Sequence, residues 1–154
     1  MTTMMTKIHV VQSKDVDLIL NTGIDGLADI EQWLSRRKLT FFLTENIYIA
    51  YLAFIDFQTT PIGVILGGLE EEGRVWIELL SVHPDYRRRG VATALMEQLI
   101  NMAEIISARG LMVDIDHDNY GALKFYRNLG FRKVGSIGQY YYDSSKALVY
   151  FYEL

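Results

Sequence analysis

Around Val82 the apolar residues change period, and few folds accommodate that change. Val75 to Val82 is a run of Val, Trp, Ile and Leu broken only by Glu78 and Ser81, which reads as a strand; Val91, Leu95, Met96, Leu99, Met102 and Ile106 follow at helical spacing. The stretch between them, His83-Pro84-Asp85-Tyr86-Arg87-Arg88-Arg89-Gly90, is therefore a strand-to-helix corner. Pro84 removes a backbone donor and pushes His83 to extended geometry, so the strand has to end there. Gly90 and Ala92 keep side chains away from the first helical turn, whose N–H groups and dipole form a site for an anion. Arg87, Arg88 and Arg89 add positive charge beside it.

The remaining elements are expected to be arranged around this corner. Ile8 to Val11 reads as a short strand, Ser13 as the cap of a helix carrying Val16, Leu18, Ile19 and Leu20 and closed by Gly23, and Gly26 to Lys38 as a second helix. Ile47 to Phe57, Ile62 to Leu69 and Val75 to Val82 form an antiparallel meander, and the interruptions from Asp56 to Pro61 rule out a membrane span over Ile47 to Leu69. The helix from about Gly90 to Ala108 is expected to end at Gly110. Leu111 to Asp116 then returns as a strand parallel to Val75 to Val82, because a strand–helix–strand unit crosses over. A helix over Tyr120 to Leu129, ended by Gly130, and a strand pair, Phe131 to Val134 with Ala147 to Tyr152, complete the chain. The expected fold is mixed α/β: a sheet of about six to seven strands, antiparallel in its N-terminal half and parallel and splayed at its centre, with helices on both faces. A ligand enters such a sheet where the parallel strands diverge.

Composition narrows the choice of function. The 154 residues, half of them hydrophobic and 22% charged, suit one domain over 1–154. A net charge of -4 disfavours nucleic acid and anionic membranes as partners, and the absence of cysteine removes disulfides, thiolate metal sites and a cysteine nucleophile. The first residues lack the basic and apolar segments of a secretory signal, so a cytoplasmic location is expected. No metal is expected either: His117 within Asp114-Ile115-Asp116-His117-Asp118 has neighbours in sequence, but adjacency alone does not make a coordination geometry.

A second motif stands downstream, Asn119-Tyr120-Gly121-Ala122-Leu123-Lys124-Phe125-Tyr126-Arg127-Asn128-Leu129-Gly130-Phe131. In this order, separated by a helix and a strand, the two motifs resemble the GNAT superfamily of acyl-CoA-dependent N-acyltransferases. The likeness covers Ile62 to Phe131, and the order of elements along the chain agrees with it. It implies acetyl-CoA as co-substrate. The family signature Gln/Arg-x-x-Gly-x-Gly/Ala falls on Arg87, Gly90 and Ala92, implying a pyrophosphate cradled by the backbone N–H groups of Arg88, Arg89, Gly90, Val91, Ala92 and Thr93. The strand Glu78 to Val82, with Leu80 and Val82, would pair through its backbone with the pantetheine arm. Asn119 falls where the family often has a cofactor-contacting asparagine, and Tyr126 where many members have the general acid.

Acyl transfer from a thioester to an amine needs a neutral amine and a proton for the departing thiolate. Thiol and phenol pKa values of about 8.5 and 10 are close enough for Tyr126 to donate. For the base, Glu78 comes first, because a lone carboxylate in a strand expected to be buried on both faces should have a raised pKa. Asp114 falls where the ribosomal-protein alanine acetyltransferases, one branch of the family, have a glutamate; either carboxylate can also act through water. The tail from Gly138 to Val149, with Tyr140, Tyr141 and Tyr142, is similar to the end of N-terminal protein acetyltransferases, while Glu70, Glu71 and Glu72 could attract a small cation. The expected reaction is acetyl transfer by direct attack of a primary amine, belonging to a small molecule or a peptide N-terminus. The alternative is a non-catalytic acyl-CoA-binding or interaction module. The acceptor and the acyl preference stay open, as does the oligomeric state, for which a homodimer is one option.

Overall fold

Alternating Ile, Val, Leu and Tyr residues build one seven-stranded sheet in the computed structural model, which describes residues 7–20, 22, 34–138 and 146–154. The strands are β1 (Ile8–Gln12), β2 (Tyr48–Ile55), β3 (Gly63–Leu69), β4 (Arg74–Val82), β5 (Gly110–Asp116), β6 (Arg132–Ile137) and β7 (Ala147–Glu153). They lie in the order β1-β2-β3-β4-β5-β7-β6. Neighbours are antiparallel except β4 and β5, which run parallel as the crossover requires. The expected meander is present as β2, β3 and β4, and the expected last pair as β6 and β7. β7 is inserted between β5 and β6, a placement that chain order does not reveal.

The helices are α1 (Val16–Leu20), α2 (Arg36–Thr44), α3 (Val91–Ile105) and α4 (Tyr120–Leu129). On one face, Val91, Leu95, Met96, Leu99 and Ala103 of α3 pack with Leu123 and Tyr126 of α4 against Ile65, Val75, Ile77, Val113 and Ile115. On the other, Ile19 of α1 and Leu39 and Leu43 of α2 cover Ala50, Leu52, Val64 and Leu66. Each fully buried Leu contributes about 1.5–3 kcal/mol through the apolar area it removes from water. Helices therefore lie on both faces, as the sequence implies, while β6 at the sheet edge stays exposed. Among the described residues no helix is long and apolar enough to cross a membrane.

Three expectations need correction. The helix expected over Gly26 to Lys38 lies outside the described residues over 26–33, as does Gly23; its end is what the structure corrects, because residues 34 and 35 are not helical. The helix that is described, α2, starts at Arg36 because the Ser35 side chain accepts from the Lys38 N–H, and it extends to Thr44, burying Leu39 and Leu43 four residues apart. The strand ending at Val82 is not buried on both faces: Glu78 is exposed and Leu79 to Ser81 are half-buried, because β4 leaves β5 after three pairs, Arg74–Gly110, Val75–Leu111 and Trp76–Met112. Finally, α3 ends at Ile105 and not near Ala108. Ser107 takes a left-handed conformation with φ +59°, its N–H donating to the Glu104 carbonyl and that of Ala108 to the Ala103 carbonyl. These bonds satisfy carbonyls of the last turn, in a geometry that glycine normally occupies.

A serine at φ +59° carries left-handed strain of about 1–2 kcal/mol, part of which glycine returns as unfolded-state entropy. Ser107→Gly is expected to stabilise the fold by about 0.5–1 kcal/mol, raising Tm by roughly 1–4 °C in calorimetry. A fall in Tm would show that the serine side chain contributes more than its backbone strain costs.

Candidate active site

The corner after β4 is built by short-range contacts. Pro84 opens a 3-10 turn over Pro84–Tyr86, and the His83 ring accepts from the Asp85 N–H at 3.2 Å. The Arg87 Nε donates to the Val82 carbonyl at 3.0 Å, tying the loop back to the strand end. Arg88 (φ +61°) and Gly90 (φ +83°) both take left-handed conformations, curling the backbone into the start of α3. Gly90 is the N-cap of α3 without a side-chain cap, and nothing lies within 4 Å of where its Cβ would project. The first turn of α3, with its unpaired N–H groups and the positive end of the helix dipole, borders open space.

That space is a cavity of about 670 Å³. It is lined by Leu80, Val82, Arg87, Arg88, Gly90, Val91, Ala92 and Thr93, with Phe125 and Tyr126 from α4 opposite. Of the residues expected at the cofactor, only Arg89 and Asn119 lie outside this lining. Arg89 instead sits over the Tyr86 ring at 5.4 Å. Asn119 caps α4, its Oδ1 accepting from the Ala122 N–H at 3.1 Å.

A second cavity of about 270 Å³ occupies the splay between β4 and β5. Ile77 to Leu80 form one side and Val113 to Asp116 the other, with Asn119, Ala122 and Tyr126 at its end. Leu80, Ala122 and Tyr126 line both cavities. Tyr126 is 6% exposed and is held between the Phe125 and Phe131 rings, each edge-on at 5.1 Å. Its hydroxyl makes no hydrogen bond to any described residue. Burial, and secondarily the charge of Asp114, push its pKa up, so the phenol stays protonated at neutral pH.

Glu78 reaches this gap through a β-bulge. Leu66 pairs with Leu79 and Gly67 with Ile77, leaving Glu78 as the extra residue of β4. Although the residue is exposed, its carboxylate lies against Gly68: a Cβ added there would be 3.0 Å from the Glu78 Oε1 and 2.9 Å from the Tyr48 ring. Only a glycine lets both side chains rest on the same strand position. Burial first, then Asp114, raises the Glu78 pKa. Tyr48, itself pushed up to about 12 by burial and by Glu78, was not singled out by sequence reasoning. No local signal marks it: it meets Glu78 only through the register Tyr48–Gly68–Trp76, and the Phe42 ring holds it edge-on at 4.8 Å.

Asp114 is half-buried on β5 and lines the smaller cavity with Glu78. The two base candidates are thus brought to one gap, with Tyr126 at its end. Several other residues are drawn elsewhere. Glu70 and Glu72 pair with Arg74 at 2.6 and 2.9 Å, so two of the three turn glutamates already have a cation. The His117 Nδ1 meets the Lys146 carbonyl at 3.0 Å and its Nε2 meets Asp118 at 3.1 Å. Tyr140 to Tyr142 lie outside the described residues.

Comparison with known proteins agrees with this geometry. Residues 21–131 match the model of the Acetyltransferase (GNAT) family. The chain is 32% identical to N-alpha-acetyltransferase 30 of Xenopus laevis over 155 residues, covering 91% of this chain and 56% of the relative. It is 29% identical to N-alpha-acetyltransferase 30 of Schizosaccharomyces pombe over 77 residues, covering 50% of this chain and 51% of that protein. The chain therefore spans about half the length of these two curated relatives. Among solved structures, the NatC complex bound to Gag peptide and CoA superposes with a TM-score of 0.78 at 23% identity, covering 95% of this chain and 99% of that one, a likeness of fold.

A carboxyl that holds its proton more tightly folded than unfolded supports the fold at low pH and loses that contribution as pH rises through its folded pKa. Glu78 is such a group. Wild-type Tm should therefore fall relative to that of Glu78→Gln as pH rises from about 4 through the raised pKa of Glu78. Parallel Tm–pH curves for the two proteins would remove Glu78 as a desolvated carboxyl.

Proposed function

Because the chain belongs to the GNAT acetyltransferase family, we propose that it is an enzyme transferring an acetyl group from acetyl-CoA to a primary amine, with peptide N-termini as the acceptor class. The observation that carries this reading is Tyr126, a buried, protonated phenol at the junction of two cavities. One cavity ends at an uncapped helix N-terminus and the other holds three carboxylates, the base candidates Glu78 and Asp114 and, beside them, Asp116. The N-alpha-acetyltransferase relatives support the acceptor class.

In this reading the pyrophosphate of acetyl-CoA lies on the N–H groups at the start of α3, with Arg88 alongside. Its pantetheine arm follows the β4 edge that β5 leaves unpaired beyond Trp76. The thioester then lies near Leu80 and Tyr126. The amine enters the smaller cavity as an ammonium and loses a proton to Glu78 or Asp114, directly or through water. Its nitrogen attacks the thioester carbonyl, the C–N bond forms, the C–S bond breaks, and the Tyr126 hydroxyl gives its proton to the departing sulfur. The nitrogen, cationic once the C–N bond has formed, loses a second proton that returns the tyrosinate to the phenol, while the first proton, held on the carboxylate, passes to solvent, so each ammonium acetylated releases one proton.

The two proton transfers assist each other. A buried phenol beside a negative Asp114 is a weak acid. Burial is the larger cause and persists, but a proton arriving at Asp114, directly or by way of Glu78, removes the smaller, charge-borne part and makes Tyr126 a better donor as the amine becomes a nucleophile.

Free-thiol release from acetyl-CoA with a panel of peptides, polyamines, aminoglycosides and amino acids tests the reaction and the acceptor class. Tyr126→Phe is expected to lower kcat by about 100-fold or more, while the thermal stabilisation given by acetyl-CoA persists. Stabilisation by acetyl-CoA with no thiol release from any acceptor would instead identify a binding module.

A further inference from the structure

Resting on the acetyl-transfer reading above, we propose that the smaller cavity selects its acceptor by charge: it takes a peptide amino terminus whose first side chain is neutral or basic, and it rejects free amino acids and termini that begin with Asp or Glu. The cavity between β4 and β5 carries three carboxylates, Glu78, Asp114 and Asp116, and no Lys or Arg among its described lining residues. Independently, the Tyr126 hydroxyl, on a residue 6% exposed, lines it without a hydrogen-bond partner among the described residues, as expected where a polar ligand group is to be received.

The groups around the carboxylates do not cancel them. Asp116 accepts from the Asp118 N–H at 3.0 Å and lies 3.4 Å from the His117 Nδ1, but that ring also faces Asp118 and the Lys146 carbonyl. Glu78 is accompanied by Tyr48, which brings no cation. The positive features of the site, Arg88 and the α3 N-terminus, belong to the larger cavity on the far side of Tyr126. In the proposed reaction the phosphates of acetyl-CoA engage them.

An ammonium entering the gap is attracted by every charge it meets. A carboxylate on the same α-carbon cannot stay outside when the nitrogen reaches the thioester, and a first-residue Asp places its charge only one bond further along. Like charges a few ångströms apart in a partly buried setting discriminate by roughly tenfold to a hundredfold.

The test uses two acceptor pairs matched in shape: amidated peptides identical except for Asn or Asp at the first position, and alaninamide against alanine. kcat/KM for the Asn peptide and for alaninamide should exceed that of the acidic partner by at least about tenfold, and the ratio should shrink in Asp116→Asn and in about 0.5 M salt. Equal values within each pair would overturn the charge rule and leave acetyl transfer standing. Should no acceptor release thiol, the reaction fails and the charge rule is judged by binding, with calorimetry of both peptides in the presence of coenzyme A. Tighter binding of the Asn peptide would uphold it; equal binding, or none by either peptide, would overturn it.

Discussion

The parting of β4 from β5 after Trp76–Met112 is the constraint on which the rest of this molecule depends. Across β2, β3 and the start of β4 the strands are paired and packed on both faces by the two cores, which leaves a ligand no way between them. At the splay, the edge of β4 from Ile77 to Val82 is released, and the cavities form on either side of the opening. The bulge at Glu78 accompanies the divergence: one extra residue bends the strand, and Glu78 lines the gap while its carboxylate rests over Gly68. Two hydrophobic cores, under α3 and α4 and under α1 and α2, hold the diverging strands.

Charge is sorted along this opening. At one end stand the α3 amides and Arg88; at the other, Glu78, Asp114 and Asp116. The arginine triplet is not a uniform patch, since Arg87 braces the loop through the Val82 carbonyl and Arg89 covers Tyr86. The positive end of the site therefore rests more on backbone amides than on side chains. Amides held in a helix need no reorientation when an anion arrives, whereas a flexible arginine loses rotamer freedom. Tyr126, clamped by Phe125 and Phe131, stands between the two ends.

The corner was legible in the sequence because its causes lie within a dozen residues: Pro84 ends the strand, Gly90 allows the left-handed entry, and the apolar period changes on either side. Tyr126 and Asn119 were singled out through the resemblance to the GNAT superfamily, and a helix with local caps, Asn119 and Gly130, holds them in the motif's phase. The break before α2 was missed although Ser35 caps it, because apolar residues on both sides of Ser35 keep a helical period. Tyr48 was invisible, since its partner Glu78 is thirty positions away and reached only across β3.

By itself, then, the sequence determined the order and type of most elements, the parallel return of β5 and the anion-ready start of α3. These follow from backbone sterics and apolar period, which act over a few residues. Only the tertiary structure decided that β7 enters between β5 and β6, that β4 and β5 separate after three pairs, that Glu78 is the bulged residue, and that Tyr126 closes both cavities. Register and divergence are set by packing summed over two faces of a sheet, so residues far apart in the chain fix them together.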